Sequence, residues 1–212
     1  MMQPIQLTDY TAHSALGLGL QAHRDALIKQ HSALRHCDFK GASLDTYIGR
    51  IPELDHVSLP DGYHQYDSRC NRLAYSTLQA DSLLDSIEQA KTRYGKKRIG
   101  LLVGTTASGF TQTERAYRHL TPSGDLPENF DYINAAHPYA SCRFLRDYLD
   151  LQGHAYVLAT ACSSSAKIFI HAQQLISQSI CDAVLVVGID ALCLNVLYGF
   201  NALGVLSHLP CQ

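Results

Sequence analysis

Two rhythms of apolar residues alternate along this chain. The first is a short, unbroken apolar run, the pattern of a strand covered on both faces. It occurs at 98–104, 155–160 and 183–188, rich in valine, leucine and isoleucine each time. The second is a three/four spacing, which places apolar side chains on one side of a helix. It runs through Leu73, Thr77, Ala80, Leu84 and Ile87 in a helix predicted over 67–94, with Asp67 or Ser68 as its cap and Gly95 as its stop. Helices are also predicted at 20–30, at 111–120, up to about 151 with Gly153 as C-cap, at 166–178, and partly over 191–204. A weak strand is predicted at 5–7, and 35–66 reads as irregular, punctuated by Pro52, Pro60 and several glycines.

Strands thus alternate with helices. That order predicts an α/β layered fold, a mainly parallel sheet between helices. No repeat, low-complexity tract or linker interrupts it, so 1–212 is expected to be one domain.

Composition narrows the function classes. The chain has 212 residues, 46% of them hydrophobic and 17% charged, with a net charge of −2. Its 17 basic residues are scattered, the tightest group being Lys96-Lys97-Arg98, so neither nucleic acid nor an anionic membrane is expected as a partner. No apolar run approaches the ~18 residues of a membrane span, and the N-terminus lacks the basic and apolar regions of a signal peptide. The seven cysteines, at 37, 70, 142, 162, 181, 193 and 211, form no CxxC and no regular framework, so neither disulfides nor zinc are expected. Free thiols point to a reducing compartment and a cytoplasmic location. The eleven histidines contain no HxH or HExxH; His31 and His36 are expected at an exposed helix end, not at a metal.

One cysteine stands apart. In Tyr156-Val-Leu-Ala-Thr160-Ala161-Cys162-Ser163-Ser164-Ser165 an apolar run stops at Cys162, small residues follow, and a helix begins. The thiol is therefore predicted at a strand-to-helix elbow, where free N–H groups and the helix dipole favour a thiolate. Such placement lowers a thiol pKa from its free value of about 8.5. A thiolate there is suited to forming and breaking thioesters, and the serines leave room for a substrate carbonyl and add hydroxyl donors.

Other motifs carry less. Gly104-Thr-Thr-Ala-Ser-Gly109-Phe110-Thr111 has the spacing of a phosphate loop, but Phe110 stands where the lysine belongs. The loop is expected instead to pass close to something bulky, a neighbouring subunit or an acyl chain. No GxSxG is present, so Ser163, Ser164 and Ser165 are read as helix-start residues. Asp190, at the end of a strand, is expected to tie down a loop by accepting backbone N–H bonds.

Taken together the motifs resemble those of the β-ketoacyl-acyl-carrier-protein synthases, condensing enzymes of the thiolase-like superfamily. Thr160-Ala161-Cys162-Ser163-Ser164 resembles the nucleophile motif of that family, Thr11-Ala-His-Ser-Ala-Leu-Gly17 its opening turn, and Ile99-Gly-Leu-Leu-Val-Gly104-Thr105 its second core strand and loop. Val186-Val-Gly188-Ile-Asp190-Ala-Leu resembles the strand and acidic turn after the nucleophile helix, and Gly199-Phe200-Asn201-Ala-Leu203-Gly204-Val-Leu-Ser207 a later family segment. Asp9 and Thr11 stand where the family often has glycines and Asp190 where glutamate is common, which suggests a divergent branch. The presence of Cys162 separates the chain from chain-length-factor partners, which lack that cysteine.

The resemblance implies a thiolase-like fold of two similar halves, of which this chain reads as the first, with the nucleophile. None of its histidines matches the family's two catalytic histidines, which belong to the second half. Leu209-Pro210-Cys211-Gln212 reads like the middle of a protein, so the C-terminal half is expected to be missing here, leaving apolar surface uncovered. The implied reaction is a Claisen condensation of an acyl thioester with malonyl carrier through an acyl-Cys162 intermediate, in fatty acid or polyketide/polyene synthesis. The Cys162 backbone N–H would serve as one oxyanion donor. Ala107 and Phe200 are the implied substrate-binding residues, Ala107 limiting tunnel depth and Phe200 lining the pocket. No metal or organic cofactor is implied, since phosphopantetheine arrives on the acyl-carrier protein. That carrier and a second synthase subunit, as homodimer or heterodimer, are the implied partners. The alternative is a non-catalytic half that binds a carrier protein or a partner synthase.

Overall fold

Residues 99–104, apolar without interruption, form the centre of the structure, and all six are buried. The computed structural model describes residues 4–210; the first three residues, Cys211 and Gln212 lie outside the described residues. In chain order, β1 (His13–Ser14) and β2 (Gly17–Leu18) make a small antiparallel hairpin that leads into α1 (Gly19–Ile28). A second short ladder joins β3 (Arg35–His36) to β4 (Tyr47–Ile48). Then come α2 (Arg69–Leu78), α3 (Leu83–Tyr94), β5 (Ile99–Gly104), α4 (Phe110–Tyr117) and α5 (Ala140–Tyr148). The chain continues through β6 (Ala155–Leu158), α6 (Ser164–Ser177), β7 (Ala183–Gly188) and α7 (Leu194–Ala202).

The main sheet is parallel, in the order β6-β5-β7. Side chains alternate across β5, as strand geometry requires. Leu102 faces α6, where it packs with Ile168 and Ala172. Leu101 and Val103 face the opposite side, among Leu73 of α2, Ile87 of α3 and Phe144 and Leu145 of α5. Helix, sheet and helix therefore form three layers, the α/β architecture that the alternation predicts. Phe144 is fully buried, with its ring centroid 6.0 Å from Tyr63 and Tyr66 and 5.7 Å from Tyr148. Truncation of such a residue to alanine costs roughly 3–5 kcal/mol.

Several elements differ from their sequence prediction. The helix expected over 67–94 is two helices. Ser68 caps the first, accepting from the Asn71 N–H at 3.1 Å. The break falls at Asp81, which takes a left-handed φ of 53°. Its carboxylate accepts from the N–H of Leu20, in the first turn of α1, at 3.0 Å, and from the Thr11 hydroxyl at 2.7 Å. A distant helix start thus recruits the residue that a continuous helix would have needed.

The strand expected at 5–7 does not form: that segment pairs with no strand, with Ile5 and Leu7 exposed, and β5 has its neighbours in β6 and β7. In this sheet β5 is buried on both faces, while β6 and β7 are largely half-buried, each at an edge among the described residues. Gly153 is not a helix cap, since α5 ends at Tyr148; it lies against the Ile99 carbonyl instead. His36 is in β3, not at a helix end, and bonds Asp45 at 3.1 Å. Lys96 and Arg98 of the basic group pair with Asp150 and Asp182.

Candidate active site

The elbow around Cys162 is built by its neighbours. β6 stops at Leu158, Ala161 takes a left-handed φ of 54°, and Ala161–Ser163 make a single 3-10 turn before α6 begins at Ser164. A non-glycine residue in that conformation stores strain, which local hydrogen bonds must hold. Ser164, 2% exposed, accepts from the Thr160 N–H at 2.8 Å and donates to the Ala161 carbonyl at 2.7 Å. Ser163 donates to the Thr160 carbonyl at 3.0 Å. These two hydroxyls therefore brace the turn instead of facing a substrate, as helix-start residues do. The third, Ser165, lies against Gly188. Cys162 is left exposed at the start of a helix of 14 residues, where unpaired N–H groups concentrate positive potential.

The first turn of α6 rests on the ends of two strands. A Cβ on Gly104 would fall 2.9 Å from the carbonyl carbon and oxygen of Ser164 and from Ser165 Cα. A Cβ on Gly188 would fall 2.6 Å from Ser165 Oγ. Only residues without side chains let the helix sit this low on the sheet.

Asp190 ties down the loop beside the elbow. Its Oδ1 accepts from Thr105 Oγ1 at 2.9 Å, from the Thr106 N–H at 2.8 Å and from the Ala107 N–H at 2.7 Å. Two loop N–H groups that a phosphate could use, those of Thr106 and Ala107, are already taken by this carboxylate, which argues against a phosphate-loop role for 104–111. Glu114, on α4, caps α7 by accepting from the Leu194 and Asn195 N–H groups at 3.2 and 2.5 Å. The Tyr198 hydroxyl on α7 accepts from the Ser43 N–H at 3.1 Å, so α7 is held at both its start and its middle.

Between these elements lies a cavity of about 1090 Å³, mostly apolar. Cys162, Ala107, Phe200 and Asp190 all line it, although 93 residues separate Ala107 from Phe200 in the sequence. Ala107 is 5% exposed and Phe200 42% exposed. Further lining comes from residues that the sequence reading had not connected with the site: His13 to Leu16, Leu27, Leu34 and Leu73. Leu73 belongs to an apolar stripe that marks packing, and nothing local says that these residues share a cavity with Cys162.

The remaining described cysteines differ in kind from Cys162. Burial pushes the Cys70 thiol up to about 12 and the Cys142 and Cys193 thiols up to about 11, so all three stay protonated near neutral pH. Cys181 is buried too, and Cys37 is half-buried. Among the described residues no group of three or more His, Cys, Asp or Glu side chains is arranged to hold a metal ion. Nor is any helix among them long and apolar enough to cross a membrane.

Comparison with known proteins places the fold. The model of the beta-ketoacyl synthase N-terminal domain matches residues 68–212. The chain is similar to a ketosynthase (ApeO) in complex with its chain length factor (ApeC) from Xenorhabdus doucetiae, at 26% identity and a TM-score of 0.76, over 94% of this chain and 50% of that one. The ishigamide ketosynthase/chain length factor shares the fold at 18% identity and a TM-score of 0.75, over 93% of this chain and 50% of that one. A beta-ketoacyl synthase from Burkholderia phymatum does so at 20% identity and 0.66, over 90% of this chain and 47% of that one. The chain thus spans about half the length of these three solved structures. No curated protein matches it in sequence. The chain belongs to the beta-ketoacyl synthase family, with the thiolase-like fold of its N-terminal half.

Proposed function

We propose that this member of the β-ketoacyl synthase family supplies the acyl-accepting nucleophile of a condensing enzyme, and that the nucleophile is Cys162. The observation that carries this reading is the exposed thiol, at the start of α6, on the wall of a large apolar cavity. In the reaction, the Cys162 thiolate attacks the carbonyl of an acyl-carrier thioester. The carrier thiol leaves with a proton, and an acyl-cysteine remains. Malonyl carrier then loses carbon dioxide, and the carbanion attacks the acyl-cysteine carbonyl, expelling the Cys162 thiolate and leaving a β-ketoacyl carrier. The Cys162 N–H is one oxyanion donor in both stages. The acyl chain lies in the cavity, with Ala107 and Phe200 against it.

Decarboxylating histidines belong, by family resemblance, to a second half of the enzyme. The partners proposed are an acyl-carrier protein, which brings phosphopantetheine, and a related synthase subunit. The likeness to a ketosynthase that pairs with a chain length factor favours a heterodimer in polyketide or polyene synthesis over a homodimer in fatty acid synthesis. No resident cofactor is required.

Intact-mass spectrometry after incubation with an acyl-carrier thioester, or with cerulenin, tests this reading. One adduct is expected, mapped to Cys162 and absent in Cys162→Ala. No adduct, or labelling spread over Cys37 and other cysteines, would instead support a non-catalytic subunit that binds a carrier or a partner synthase.

A further inference from the structure

A serine paired with a histidine lines the same cavity as Cys162. Ser14, on β1, and His13 beside it both line the cavity that Cys162 opens into. Ser14 Oγ is 2.8 Å from His23 Nε2, and His23 Nδ1 is 2.8 Å from the Gly19 carbonyl oxygen. A carbonyl only accepts, so Nδ1 carries the proton in this contact. In the neutral ring Nε2 is then a bare lone pair, and the Ser14 hydroxyl donates to it. The Leu16 N–H donates to Ser14 Oγ at 3.1 Å, which fixes the oxygen from its other side.

The arrangement is held by packing. Ser14 stands opposite Gly17 in the β1–β2 ladder, and a Cβ on Gly17 would fall 2.8 Å from Ala22 Cβ on α1. The hairpin is thus pressed against the helix that carries His23. Nucleophile, base and a third group orienting the base are all present, which is the general form of an activated serine.

We infer that Ser14 and His23 form a serine-type acyl-transfer dyad, acting on acyl esters or thioesters whose chain lies in the cavity. Ser14 Oγ attacks the acyl carbonyl as its proton passes to His23 Nε2. The tetrahedral adduct collapses, and the leaving thiolate or alkoxide takes that proton from Nε2. An acyl-serine ester remains. A water molecule then attacks the ester carbonyl, giving its proton to Nε2. Ser14 Oγ leaves with that proton, and a free carboxylic acid is released. The dyad would therefore discharge acyl chains that the cavity holds. This activity is distinct from condensation and does not require Cys162.

An alkyl fluorophosphonate tests the inference. It forms a bond from serine oxygen to phosphorus with loss of fluoride, and peptide mapping locates the adduct. The expected result is an adduct on Ser14, formed at least about 100-fold more slowly in His23→Gln, the lower range for loss of a general base. Because His23→Gln keeps Ser14, it carries the test even if Ser14→Ala fails to fold, and its melting curve reports its folding. No adduct on Ser14, or an unchanged labelling rate in folded His23→Gln, would overturn the inference. Cerulenin labelling of Cys162 on the same sample reports the condensing site separately, so the two proposals fail independently.

Discussion

Gly104 stands opposite Gly188 across the parallel β5–β7 ladder, and both lie under the first turn of α6. This glycine pair sets the height of the Cys162 elbow above the sheet. The obstacles at the two positions differ in kind. An added Cβ at Gly104 meets the backbone of Ser164 and Ser165, whereas at Gly188 the nearest atom is the Ser165 hydroxyl oxygen, which rotates.

Gly104→Ala is therefore expected to destabilise the fold more than Gly188→Ala, even though its shortest contact is the longer of the two. Overpacking against backbone costs about 1–3 kcal/mol. Urea denaturation of both variants checks the order, and equal losses would show that α6 shifts freely. Gly104→Ala is also expected to slow cerulenin labelling of Cys162, because the turn moves with the helix.

Replacing Asp190 tests its hold on the loop at Thr105 to Ala107. Asp190→Ala leaves three donors without their acceptor and is expected to cost about 1–2 kcal/mol, the lower range for a charged hydrogen-bond partner because Asp190 is exposed. Asp190→Asn keeps Oδ1 as an acceptor and should lose less. Hydrogen exchange at the Thr106 and Ala107 amides reads the effect directly. Unchanged protection in Asp190→Ala would mean that the loop is held by its own packing.

Ala107 is nearly buried at the cavity wall, so a larger side chain there must project into the space proposed for the acyl chain. In the assembled enzyme Ala107→Ile is expected to shorten the products by one extension unit or more. Mass spectrometry of released chains checks this, and an unchanged product profile would remove Ala107 from the substrate path.

His13 predicts a pH dependence of stability. Burial disfavours its charged ring, and His23 adds repulsion, so its folded pKa lies below the ordinary 6.5. As pH falls the unfolded chain takes up this proton first. The contribution of neutral His13 is therefore complete above about 6.5 and is lost as pH falls through the lower folded value. Urea midpoints at pH 7.5 and 5 should differ more in the natural chain than in His13→Gln. Equal differences would assign the slope to other groups.

Much of the site's frame is legible in the sequence. The apolar runs at 99–104 and 183–188 are strands, and Cys162 does stand at the start of a helix. Asp190 was expected to tie a loop, and it does so through the N–H groups of Thr106 and Ala107. These features depend on neighbours within a few residues: alternation, a three/four spacing, small residues at a turn. Local sterics and local hydrogen bonds settle them, so the sequence alone determined the strand–elbow–helix unit, the layered class and the family resemblance.

The tertiary structure decided which distant pieces meet. Helix α1 begins on Asp81, and α7 begins on Glu114. The strand that comes first in the main sheet lies at its centre, and part of the cavity that Cys162 lines comes from residues more than 100 positions away, among them Ser14 and Leu34. No periodicity encodes such meetings. They follow from long-range pairing of strands and from burying one helix face against another, where each unsatisfied N–H takes whatever acceptor the packed fold brings within reach. The pairing of Ser14 with His23 is of this kind, since it requires the β1–β2 hairpin to fold back onto α1.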